Sequence, residues 1–120
     1  MTATTLRIRR MRPGDRAQVL RVWERSVRAT HDFLTDPNIE ALRPHVAEAL
    51  GGEAVDWWVL VLPSDLPIGF LGFVDPVVEA RFVDPDHFRR GARRRLLAHA
   101  EPLASGPLAV EVNEQNPRGS

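Results

Sequence analysis

Phe82-Val83-Asp84-Pro85-Asp86-His87-Phe88-Arg89-Arg90-Gly91-Ala92-Arg93-Arg94-Arg95-Leu96-Leu97 is the stretch on which the reading of this sequence turns. An apolar strand ends at an Asp-Pro turn, and a helix opens around Gly91. The first turn of a helix has N–H groups without intrahelical partners, and their partial positive charge attracts phosphate. Five arginines between Arg89 and Arg95 add full charges there, and each can pair bidentately with phosphate oxygens. Gly91 lets the backbone come close to a bulky pyrophosphate. Arginines at a helix start oppose the macrodipole, a conflict that a bound anion removes. The same run also reads as a solubilised, exposed helix face. A nucleic-acid phosphate is a further anion source, although Phe88 alone supplies aromatic interleaving and no recognition motif accompanies it. Val78 to Ala100 is thus predicted to be a strand, turn and helix organised to hold an anionic ligand.

On the N-terminal side, Ile68 to Val74 and Val77 to Val83 are predicted strands joined at Asp75-Pro76. Val55 to Leu62 runs apolar from Trp57 onward, the pattern of a strand buried on both faces, and Pro63 to Pro67 is its turn. The three form an antiparallel meander. On the C-terminal side, Arg89 to Glu101 is helical with Leu96, Leu97 and Ala100 inward, and Leu108 to Val112 is a last strand. A right-handed crossover places that strand parallel to Val78 to Val83. At the start of the chain, Leu6 to Met11 alternates as a short strand that Pro13-Gly14 ends. A helix from Asp15 to Ala29 follows, with Asp15 and Gln18 at capping-box spacing and Ala17, Leu20, Trp23 and Val27 as its apolar face. A second helix starts at Asp36 with Pro37 in its first turn, presents Ile39, Leu42, Val46 and Leu50, and closes at Gly51-Gly52. Pro44 predicts a kink or a split into two short helices. The order is βααβββαβ, an α/β (α+β) fold.

A chain of 120 residues, 43% hydrophobic and 27% charged, suits one compact domain. No apolar run approaches the roughly 20 residues a membrane helix needs, and Met1 to Arg12 lacks the hydrophobic region of a secretory signal, so cytoplasmic residence is expected. The absence of cysteine excludes disulfides, zinc thiolates and a cysteine nucleophile. No metal site is expected. Sixteen basic residues, all arginine, balance sixteen acidic ones, so no global field draws in nucleic acid or an anionic membrane, and any electrostatic function is local. Without Lys or Tyr there is no Schiff-base lysine and no tyrosine acid.

The element order and the segment Glu79-Ala80-Arg81-Phe82-Val83-Asp84-Pro85-Asp86-His87 resemble the GCN5-related N-acetyltransferase (GNAT) superfamily, especially its small bacterial members. Glu24-Arg25-Ser26-Val27-Arg28-Ala29-Thr30-His31-Asp32-Phe33-Leu34 and Val110-Glu111-Val112-Asn113-Glu114-Gln115-Asn116-Pro117 resemble the same branch, in the same order along the chain. The resemblance implies one GNAT-like domain over residues 1–120 with a mixed sheet. It also implies an acetyl-CoA-dependent N-acetyltransferase acting on an amine of a small molecule or peptide. A degenerate, non-catalytic module for dimerisation or ligand sensing is the alternative.

Acetyl-CoA, as cosubstrate, would lie at the junction of the two parallel strands. Backbone groups of Phe82 and Val83 would hold the pantetheine arm, and one N–H there would polarise the thioester carbonyl. The pyrophosphate would meet Arg89, Arg90, Gly91, Ala92, Arg93 and Arg94, and Asn116 completes the cofactor-binding set. The family's phosphate motif has Arg or Gln, two variable residues, Gly, one variable residue, then Gly or Ala. Here Phe88 stands first and Arg93 last, and Arg93 either supplies charge in place of a backbone contact or fills the site. Glu79 matches a strand position that commonly carries a carboxylate and is the implied general base, with His31 a second candidate. The plainer readings are a strand residue paired with Arg81 for Glu79, and a connector residue for His31. His31 and Phe33 are implied on the acceptor side. The family continues past the Asn116 position with a helix bearing a tyrosine and two more strands, whereas this sequence stops at Ser120 and Pro117 to Ser120 match nothing in that pattern. The expected fold lacks that helix and those strands, which would make Leu108 to Val112 an apolar sheet edge inviting a homodimer.

Overall fold

In the computed structural model, which describes residues 6–30 and 35–110, the elements follow in the expected order. They are β1 (Arg7–Arg10), α1 (Arg16–Thr30), α2 (Asp36–Gly51), β2 (Asp56–Val61), β3 (Pro67–Val74), β4 (Val77–Val83), α3 (Ala92–Ala100) and β5 (Ala109–Val110). The sheet runs β1-β2-β3-β4-β5. Its first three pairings are antiparallel, and β4 pairs with β5 in parallel at Val77–Ala109 and Val78–Val110. A parallel neighbour needs a crossover, and α3 is that crossover. The last strand is predicted to reach Val112, and its final two residues lie outside the described ones.

Because successive strand residues point to opposite faces, each central strand feeds two cores. Leu60, Leu71, Phe73, Val78 and Val83 pack under Ala92, Leu96 and Ala100 of α3. Val59, Val61, Phe70 and Phe82 pack under Val19, Val22, Trp23 and Val27 of α1 and Ile39 and Leu50 of α2. Fully burying one such side chain contributes about 2 kcal/mol, and this double coverage is why β2 and β3 read as continuous apolar runs.

Several local expectations give way to tertiary geometry. The buried face of α1 is Val19, Val22, Trp23, Ser26 and Val27, with Ala17 exposed and Leu20 only partly covered. Asp15 does not cap α1 through Gln18. It sits in a 3-10 turn, Pro13–Asp15, accepts the Arg12 N–H at 2.8 Å and is buried against Arg9. Helix α2 runs unbroken through Pro44. Pro44 is exposed, so the carbonyl deprived of its N–H partner faces water and the packed ends, Ile39 and Leu50, hold the helix across it. Leu42 is left 40% exposed. α3 begins at Ala92, later than the predicted Arg89, because a 3-10 segment, Pro85–Arg90, precedes it.

Two irregularities shape the sheet near β4. Gly72 lies opposite Trp57, and a Cβ at Gly72 would come within 2.6 Å of the indole, so only glycine allows the ring to lie flat on the strand. Between β3 and β4 the register passes from Gly72–Ala80 to Phe73–Val78, which makes Glu79 the extra residue of a β-bulge. The bulge reverses the facing of the strand: Val78 belongs to the α3 core, whereas Ala80 and Phe82 face α1 and α2.

Candidate active site

The end of β4 and the start of α3 form the centre of the site. The Asp84 N–H donates to the Ile68 carbonyl at 2.8 Å. An antiparallel ladder alternates, so Asp84 and Phe82 turn their backbone groups toward β3, while Val83 and Arg81 turn theirs toward the β5 side. Of the two residues implied to hold a pantetheine arm, Val83 thus has the outward N–H and Phe82 contributes its buried ring. That ring stacks on Phe70 with centroids 5.4 Å apart.

Gly91 adopts φ +70°, with no heavy atom within 4 Å of where a Cβ would stand. Its glycine is demanded by the left-handed backbone and not by crowding. From Gly91 the chain enters α3 without any side-chain cap, and the first intrahelical bond runs from the Arg95 N–H to the Gly91 carbonyl at 3.0 Å. The N–H groups of this first turn are the donors an anion takes.

The five arginines do not act as one cluster. Arg93 and Arg94 line an open cavity of about 350 Å³ with Arg81, Phe88, Gly91 and Leu97. Arg81 is 7% exposed and donates through Nη1 to the Arg93 carbonyl at 3.3 Å. Arg95 points elsewhere, donating through Nη2 to the Leu6 carbonyl at 2.6 Å, where it fastens α3 to the chain entering β1. Arg89 and Arg90 belong to the 3-10 segment. Phe88, in the place of a polar residue, packs on the α3 core, and Ala92 is fully buried there.

On the opposite face, an apolar cavity of about 290 Å³ opens between α2 and β4, with Leu42, His45, Val46, Trp57, Ala80 and Phe82 among its lining. The Trp57 Nε1–H donates to the Ala49 carbonyl at 3.1 Å and fixes the indole as one wall. Glu79 is half-buried at the bulge, one residue before the β4 residues that line the two cavities and in the lining of neither, and among the described residues no side-chain hydrogen bond or ion pair engages it, Arg81 included. His31, Phe33 and Asn116 lie outside the described residues. No group of three or more His, Asp or Glu able to hold a metal occurs among the described residues.

A feature without a local sequence signal ties the site together. Arg25 of α1 grips Asp84 through Nε at 2.7 Å and Nη2 at 3.2 Å. Burial works to raise the Asp84 pKa, but the Arg25 bond, the Asp86 N–H and the nearby positive charges outweigh it and hold the carboxyl below the usual range. Asp84-Pro85 was legible as a turn; the partner 59 positions earlier was not.

No family profile matches the chain. It is 38% identical over 111 residues to the peptidyl-lysine N-acetyltransferase YjaB of Salmonella typhimurium, an alignment spanning 92% of this chain and 74% of that protein. To YjaB of Escherichia coli it is 38% identical over 109 residues, spanning 91% and 72%. The solution structure of apo-form YjaB from Escherichia coli superposes with a TM-score of 0.76 at 34% identity, covering 83% of this chain and 67% of that one. The PaiA N-acetyltransferase of Thermoplasma acidophilum, solved in complex with coenzyme A, shares the fold with a TM-score of 0.66 at 16% identity, covering 82% and 71%. The chain belongs to the GCN5-related N-acetyltransferase superfamily. Its class of reaction is acetyl transfer to an amine.

Proposed function

We propose that this protein transfers the acetyl group of acetyl-CoA to the side-chain amine of a lysine in a peptide or protein. The observation that carries the reading is the uncapped α3 N-terminus at Gly91, set beside the outward backbone of Val83 and a cavity rimmed by Arg93 and Arg94. The acceptor class is supported by the name of the two relatives at 38% identity.

Phosphate groups of acetyl-CoA would lie on the first turn of α3, with Arg93 and Arg94 supplying the charge that the family's small residues do not carry. A backbone N–H in the Phe82–Val83 stretch would polarise the thioester carbonyl and then stabilise the oxyanion as it forms. Glu79, unpaired at the bulge, would accept a proton from the lysine ammonium directly or through one water, freeing the lone pair that attacks the carbonyl. The C–N bond forms, the C–S bond breaks, and the thiolate of CoA takes up a proton. The apolar cavity walled by Trp57 and Phe82 would receive the acceptor side, and His31 is the second candidate base. Pairing of two copies along β5, supported by the exposed Val110 on that outermost described strand, is read by sedimentation velocity.

The test is thiol release from acetyl-CoA with lysine peptides. Glu79→Gln is expected to lower kcat about 100-fold, the range of general-base loss, with CoA affinity retained. Turnover unchanged in that variant sinks the assignment of Glu79. CoA binding with no acetyl transfer to any amine would return the non-catalytic reading.

A further inference from the structure

The turn that carries β4 into α3 is built around one carboxylate. The Asp84 N–H completes the β3–β4 ladder at Ile68, its carbonyl accepts the His87 N–H at 2.9 Å, and its side chain accepts the Asp86 N–H at 2.9 Å. Three consecutive parts of the chain, strand end, turn and 3-10 segment, therefore share Asp84. Its side chain is 11% exposed, and a carboxylate that covered needs a counter-charge.

The counter-charge comes from the other face of the sheet. Arg25, on α1, places Nε and Nη2 on the two oxygens of Asp84 and extends Nη2 to Asp86 at 3.1 Å. A planar guanidinium in a two-point contact fixes direction as well as distance. α1 is in turn braced against α2 by Glu24, which accepts from both Arg28 and Arg43. The anchor of the turn is thus a braced helix and not a loop. Arg25 is 47% exposed at its side chain and does not line the cavity at the α3 N-terminus.

We propose that Arg25 is a positioning residue for the cofactor: its fork on Asp84 and Asp86 sets where the turn delivers Gly91 and the first turn of α3 relative to Val83, and so sets affinity for CoA without touching it. This rests on the reading that the α3 N-terminus takes the phosphates of CoA. Loss of the fork leaves Asp84 its backbone bonds but frees the turn to swing, so the donors no longer converge on one phosphate position.

Calorimetric titration of the full chain with CoA tests it, alongside steady-state kinetics with acetyl-CoA. Arg25→Gln is expected to weaken CoA binding about tenfold, in line with loss of a charge-assisted contact, and to raise KM for acetyl-CoA with kcat within about twofold. Arg25→Lys, which keeps charge but not the fork, falls between. Arg10→Gln, which removes an exposed pair with Asp56 far from this turn, leaves binding unchanged. Equal affinity in Arg25→Gln and wild type, or an equal loss in Arg10→Gln, overturns the proposal. Should Arg25→Gln fail to fold, Asp86→Ala removes only the outer arm of the fork, and unchanged CoA binding in that variant overturns it as well. A wild-type chain that binds no CoA instead sinks the cofactor reading itself, which separates the two failures.

Discussion

Two arginine–aspartate clusters sit on different strands of the sheet, one at β1 and one at the end of β4, and they differ in what they hold. At the β1 edge, Arg9 donates to Asp15 at 2.7 and 3.0 Å and to Asp65 at 2.9 Å, with Arg9 and Asp15 only 13% and 11% exposed at their side chains. At the β4 end, Arg25 grips an equally covered Asp84 but is itself 47% exposed. The first cluster locks β1 to the β2–β3 turn, where Asp65 adopts φ +76°, a left-handed backbone that Asp tolerates. The second holds the turn that leads into α3 and the proposed cofactor site. The same chemistry serves rigidity where both partners are enclosed, and alignment where one partner faces water.

Asp15→Ala breaks this contrast most severely. It takes the two-point partner from a covered guanidinium, which keeps only Asp65 as a counter-charge, and unpairs the Arg12 N–H, so a loss of about 3 kcal/mol is expected in urea unfolding, with CoA affinity of the folded fraction unchanged. A loss below about 1 kcal/mol would put Arg9 and Asp15 among ordinary surface pairs. Acid titration comes next. The Arg9 bond, working against burial, lowers the Asp15 pKa, and Asp84 is lowered as well. A carboxylate lowered on folding contributes stability that is whole above its unfolded value, about 3.9, and is lost as pH falls through the folded value. Wild type should therefore hold its urea midpoint down to about pH 4 and lose it below, and Asp15→Ala should show a shallower acid limb.

Arg25→Gln is expected to cost about 1–2 kcal/mol of stability, less than Asp15→Ala, because the Asp84 carboxylate keeps the Asp86 N–H and water reaches it on the half-exposed side that Arg25 leaves. A loss as large as that of Asp15→Ala would erase the distinction between the clusters. The smallest effect belongs to a site with no ion pair. His99 packs edge-on against Trp58, with centroids 4.4 Å apart, and burial lowers its pKa. The folded state prefers the neutral ring, so its contribution is whole above the unfolded value of about 6.5 and declines as pH falls below it. A few tenths of a kcal/mol between pH 7.5 and 5.5 is expected by urea titration, absent in His99→Leu.

How far the sequence revealed all this depended on the range of the interaction. Strand alternation, the Asp-Pro turn and the Gly91 start of a helix are local signals, and they placed the elements and the α3 site in order. The helix α2 passes Pro44 because its anchors lie on either side of it, which the local rule for proline does not weigh. Arg95 falls in the arginine run that reads as phosphate-binding, yet it bonds a carbonyl 89 positions earlier. Arg9–Asp65 and Arg25–Asp84 span 56 and 59 positions, and nothing near any of these residues announces its partner. Glu79 stands out in the sequence only by its match to the family, and the strand register alone shows that it is the residue left over in a bulge.

That surplus residue makes β4 a strand with two phases. Its first half is read in step with the hairpin that anchors it, and its second half, which carries Arg81 and Val83 toward α3, is read one step later. Deleting Glu79 would restore a regular strand, with Val78 and Ala80 adjacent against Phe73 and Gly72, and would leave the Phe82 ring on the α1 side and Arg81 on the α3 side, where they now stand. What the insertion contributes is Glu79 itself, a carboxylate that belongs to neither packed row of the strand.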